Sequence, residues 1–88
     1  MHPMIQAMIN QRINQVSADE LYEQAIQFNI PITRNQAARV AGRVRGKNID
    51  LFQPAGQEKL RRIFIEELGP VLAQELDQKF KQLMAKYQ

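Results

Sequence analysis

A chain of 88 residues with one histidine, no cysteine, a single serine and a single threonine has few routes to covalent chemistry. A nucleophile–base pair would have to join His2 to Ser17 or Thr33. Both hydroxyls stand three residues before a Glu or Gln (Glu20, Gln36), which is the spacing of a helix capping box, and His2 belongs to a fraying terminus. The carboxylates Glu66 and Glu67, and likewise Glu75 and Asp77, are one and two positions apart. On a helix such neighbours point to different sides, whereas acid/base work needs two groups converging on one pocket, so they read as solvated. Four scattered glycines make no phosphate loop, and the His and Cys content excludes metal-ligand spacing by those residues. The chain is therefore expected to be a non-enzyme, with no catalytic residue, metal or cofactor and no small-molecule substrate.

The remaining chemistry is ionic. From Gln24 to Ile49 there are five cations (Arg34, Arg39, Arg43, Arg45 and Lys47) and no acid, while the rest of the chain nets −2 and the whole +3. Arg39 and Arg43 lie one helical turn apart, with Arg34 before them and Arg45 and Lys47 after. Guanidinium forks match phosphates, and several together would release counterions from a nucleic acid. The plainer reading is a solvated face, whose cations favour a helix C-terminus and pair with Asp19, Glu20 and Glu23. No Phe or Tyr falls between Thr33 and Leu51, so the aromatic interleaving of single-strand binders is missing.

The elements that must carry these groups are helical throughout. Ile5, Met8, Ile9, Ile13 and Val16 recur at spacings of three and four behind Pro3, an apolar stripe with Gln6, Asn10, Gln11 and Asn14 on the other face. The Ser17–Glu20 box opens a second helix at Ala18, with Leu21, Ala25 and Ile26 or Phe28 inward. It should stop by Asn29, because Pro31 drives Ile30 extended. The Thr33–Gln36 box opens a third helix, Arg34 to Arg45, with Ala37, Val40, Ala41 and Val44 inward and Gly46 to end it. Of Ile49, Leu51 and Phe52 in the next loop, at least two should plug the core. Pro54 opens a fourth helix that buries Leu60, Ile63, Phe64 and Leu68, and Gly69–Pro70 separates it from a fifth running to about Lys86. In that last helix Leu72, Leu76, Phe80, Leu83 and Tyr87 form a seam about two heptads long. It can pack within the chain, which the short length favours, or on a second copy.

One small domain spanning 1–88 follows: an all-α bundle of four to five short helices with two extended connectors. At 44% hydrophobic and 24% charged it is neither disordered nor membrane-spanning, and the absence of cysteine suits a reducing cytoplasm. The N-terminal stretch lacks the form of a secretory signal and reads as part of the domain. The helix, Asn-Ile-Pro-Ile-Thr connector and basic helix resemble in layout the helix-extended-loop-helix DNA-binding modules of the SAP type, with Pro31 and Thr33 where those carry glycine and lysine. Pro3 to Asn10, Ile30-Pro31-Ile32-Thr33 with Gln36-Ala37, and Arg45-Gly46-Lys47-Asn48-Ile49-Asp50-Leu51-Phe52 resemble the YqfT-like proteins of bacilli, a short family of unknown function, with Gln53 where that family usually has a capping asparagine. The resemblance implies a cytoplasmic bacterial protein and no catalytic residues. The favoured function is a non-enzymatic module that meets a protein partner or a second copy through Leu72, Leu76, Phe80, Leu83 and Tyr87. The alternative is nucleic-acid binding through Arg34, Arg39, Arg43, Arg45 and Lys47.

Overall fold

A computed structural model of the chain describes residues 3–86, apart from the side chains of Pro3 and Leu83; His2 and Tyr87 lie outside the described residues. Five helices follow one another: α1 (Pro3–Asn14), α2 (Ala18–Gln27), α3 (Arg34–Val44), α4 (Pro54–Leu68) and α5 (Pro70–Ala85). No strand occurs among the described residues.

Local chemistry sets the boundaries. The amide of Glu20 donates to Ser17 Oγ at 3.1 Å and the Ser17 amide to Glu20 Oε1 at 3.3 Å; the Gln36 and Thr33 amides do the same at 3.0 and 2.8 Å. Each box satisfies two orphan N–H groups at a helix start. At the end of α2, Asn29 takes the left-handed conformation (φ 59), its N–H bonds Ile26 O at 3.0 Å and the Ile30 N–H bonds Ala25 O at 2.8 Å. This is a Schellman motif, with asparagine where glycine is commoner, and it turns Ile30 back into the core. Gly46 (φ 75) closes α3 just past its C-cap, Arg45. Gln53 makes no side-chain cap to α4, and Gln57 one turn on donates instead to Leu51 O at 2.9 Å.

The core sits where α3 packs between α2 and α4 and where α4 pairs with α5. Ala37, Val40, Ala41 and Val44 of α3 and Leu60, Ile63, Phe64 and Leu68 of α4 are all buried, joined by Leu21, Ala25, Ile30 and Ile32. Ile49 and Leu51 are the plugs from the loop, while Phe52 is half-buried. Gly56 has a role that its sequence context did not reveal: a Cβ there would lie 2.6 Å from the Asp50 carbonyl carbon, so α4 meets that backbone only through glycine.

Three expectations need correction. Ile26 and Phe28 were alternatives for burial, and both are exposed, because the Schellman turn lets Ile30 take the inward place. The apolar stripe of α1 is only partly covered, with Met8 exposed. The helix is seated instead by Asn10 and Asn14 from the face opposite, whose partners lie some 35 to 41 residues away. Glu66 and Glu67 are not simply solvated: both bind Arg43.

Candidate functional site

The Asn10–Asn14 seat decides where a groove can form. Asn14 Nδ2 donates to Ile49 O at 2.8 Å and its Oδ1 accepts from Ile49 N at 2.8 Å, so one side-chain amide pairs with both polar groups of a buried residue's backbone. One turn earlier Asn10 Oδ1 accepts from Leu51 N at 2.9 Å, and its Nδ2 donates to Asp50 Oδ1 at 2.9 Å. The Gly46 N–H adds a bond to Asn14 O at 3.2 Å. These bonds hang α1 on the loop, while the extensive helix contacts are α4 with α5, α2 with α3 and α3 with α4.

The result is an apolar groove framed by α1, α2 and α5, with a volume of about 550 Å³. Ile9, Ile13 and Val16 line it from the first helix and its exit, Leu21 and Phe28 from the second and its end, and Leu76 and Phe80 from the last. Leu21 and Leu76 also belong to the core, so the groove opens directly onto it. Charges border it. Arg12 pairs with Glu20 at 3.5 Å, and Asp19 with Arg34 at 3.5 Å; that Arg34 guanidinium lies 4.3 Å from the centre of the Tyr22 ring. Lys79 Nζ sits 5.8 Å from the centre of the Phe28 ring. Neither Lys79 nor Glu23 has an ion-pair partner among the described residues.

The basic segment is split by the fold. Arg43 reaches α4, bonding Glu66 at 2.6 Å and Glu67 at 3.2 Å; its pKa is raised chiefly by the Glu66 hydrogen bond, with Glu67 adding to it and desolvation opposing it. Arg34 is engaged by Asp19 and Tyr22. Arg39, Arg45 and Lys47 are exposed and have no carboxylate partner among the described residues. The five cations therefore do not form one open face.

The seam of α5 is divided as well. Leu76 is 1% exposed and spent in the protomer's own core, and the Phe80 ring stacks on Phe64 with centroids 5.8 Å apart. Leu72 is half-buried against the core, and Met84, absent from the seam as read from its spacing, is buried. Leu83's side chain and Tyr87 lie outside the described residues. On the groove α5 contributes Leu76, Lys79 and Phe80, and at its start Val71 is 70% exposed.

A second, smaller hollow of about 240 Å³ between α4 and α5 is polar. Its Lys81 pairs with Asp77 at 3.1 Å and its Arg61 with Glu58, so its charges are satisfied within it. Among the described residues no three His, Cys, Asp or Glu side chains are grouped to hold a metal ion, and no helix is long and apolar enough to cross a membrane.

Comparison with known proteins agrees with the YqfT-like resemblance. The chain is 34% identical over 79 residues to the uncharacterized protein YqfT of Bacillus subtilis (strain 168), covering 90% of this chain and 94% of that one. No solved structure matches it significantly. A family model described as a protein of unknown function (DUF2624) matches residues 1–88, and the chain belongs to that DUF2624 family.

Proposed function

We propose that this protein is a non-enzymatic, cytoplasmic interaction module that docks a protein surface in the groove of α1, α2 and α5. The observation that carries the reading is the groove itself: apolar side chains from three helices left uncovered, with one acid and one base at the border that have no ion-pair partner among the described residues. Such a layout, an apolar centre ringed by polar groups, is how protein interfaces are built, since burial supplies affinity and the charged rim sets orientation. The opening onto Leu21 and Leu76 gives an incoming side chain a rigid floor.

A second reading is favoured by one observation, the exposed Arg39, Arg45 and Lys47, which have no carboxylate partner among the described residues and could meet phosphates. One experiment separates the two. A photo-cross-linking amino acid is placed at Phe28, on the groove, and in a separate variant at Arg39, on α3, and adducts are collected in cells. Protein adducts from position 28 and none from position 39 are expected. Nucleic-acid adducts from position 39, with position 28 silent, would replace the first reading by the second.

A further inference from the structure

We propose that the groove's occupant is α1 of a second copy of the chain, in a two-fold symmetric dimer; this rests on the reading of the groove as the interaction surface. A concave apolar trough needs a convex apolar insert, and the chain carries one beside the trough. Met4 and Met8 are 77% and 59% exposed. Together with Arg12, which borders the groove, they fall at four-residue spacing along one edge of α1, so they continue the groove's wall outward. Methionine is unbranched and polarizable, and it fills an irregular hollow with little strain. Because insert and hollow adjoin on the same protomer, a single two-fold axis can seat each copy's methionines in the other's groove, closing the assembly.

The charges suit that operation. In a two-fold interface, residue i of one copy meets j of the other while j meets i. Glu23 comes from α2 and Lys79 from α5, both border the groove, and neither is paired within the protomer among the described residues. One axis then forms the Glu23–Lys79 pair twice. The other border charges have partners within the protomer across exposed contacts of 3.5 Å, Arg12 with Glu20 and Asp19 with Arg34, so Glu23 and Lys79 are the acid and base left over, a pattern complementary to its own copy. The alternative occupant, an amphipathic helix of a different protein, is an outcome of the test.

The test is sedimentation equilibrium of the full chain across micromolar to millimolar loading, with circular dichroism to check folding. The wild type should show a concentration-dependent doubling of mass. Met8→Glu, at an exposed site that the fold tolerates, should weaken the dimer roughly thirtyfold or more by forcing a charge into the apolar contact. Glu23→Lys should weaken it about tenfold, since each of two pairs turns repulsive, and the double swap Glu23→Lys/Lys79→Glu should restore it. A monomer at all loadings, or a dimer indifferent to both Met8→Glu and Glu23→Lys, overturns the proposal. If position 28 still yields adducts with other proteins while the chain is monomeric, the second copy is ruled out and the groove remains an interaction surface for a different partner.

Discussion

Replacing Asn14 by alanine tests the seat of α1 and with it the wall of the groove. The substitution removes two hydrogen bonds to Ile49, each 2.8 Å long, and leaves both backbone groups of a residue that is 2% exposed without their partner. A net bond contributes about 1 kcal/mol, and a buried polar group left unsatisfied costs about 1–3 kcal/mol. Alanine's better helix propensity returns at most about 0.6 kcal/mol. The expected loss is about 2–4 kcal/mol, from a total of about 4–13 kcal/mol for a chain of this length, or roughly 10–25 °C in Tm. Urea unfolding followed by circular dichroism reads it as a lower midpoint at unchanged slope. Gln11→Ala, an exposed change on the same helix, is the control and should be near neutral. A loss below about 0.5 kcal/mol for Asn14→Ala would refute the reasoning, because water would then be serving Ile49 as well as the amide does. Asn14→Asp sharpens the point. Its carboxylate still accepts from the Ile49 N–H but can no longer donate to the carbonyls of Ile49 and Asn10, so this variant too should unfold at a lower urea midpoint than the wild type.

Two glycines should respond with opposite sign to the same change. Gly42→Ala, where an added Cβ meets nothing, should gain about 0.5–1 kcal/mol, whereas Gly56→Ala, where it collides with the Asp50 backbone, should lower the urea midpoint in spite of the same propensity gain. Leu76→Ala should cost about 2–5 kcal/mol as a core truncation in the isolated protomer, and a near-neutral result would place that side chain outside the core. Arg43→Ala should lower the thermal midpoint slightly in dilute buffer and by less at high salt, since its bond to Glu66 is exposed and screened while that to Glu67 is part-buried.

The helices and their ends were legible in the chain because the signals are local. The Ser17–Glu20 and Thr33–Gln36 boxes act over a spacing of three, Gly46 and Pro54 act at their own positions, and the stripes of α3 and α4 follow helical periodicity, which puts Ala37, Val40, Ala41 and Val44 and Leu60, Ile63, Phe64 and Leu68 in the core, where the structure has them. Tertiary structure decided that α1 is held from both sides, Ile9 and Ile13 against the core and Asn10 and Asn14 against the loop. An apolar stripe usually marks the buried side, but Asn10 and Asn14 can satisfy a buried loop backbone that no apolar residue could, and an unpaired backbone group in the core costs more than a half-covered isoleucine or an exposed methionine gains. The partners of Asn14 and Arg43 lie 35 and 23–24 residues away, a separation that periodicity does not encode. The groove is illegible in the chain for the same reason: Ile9 and Ile13 read as one stripe of α1, Phe28 as an alternative to Ile26, and Leu76 and Phe80 as a seam that packs within the chain or on a second copy, and only the way α1 hangs on the 48–52 loop gathers them around one hollow.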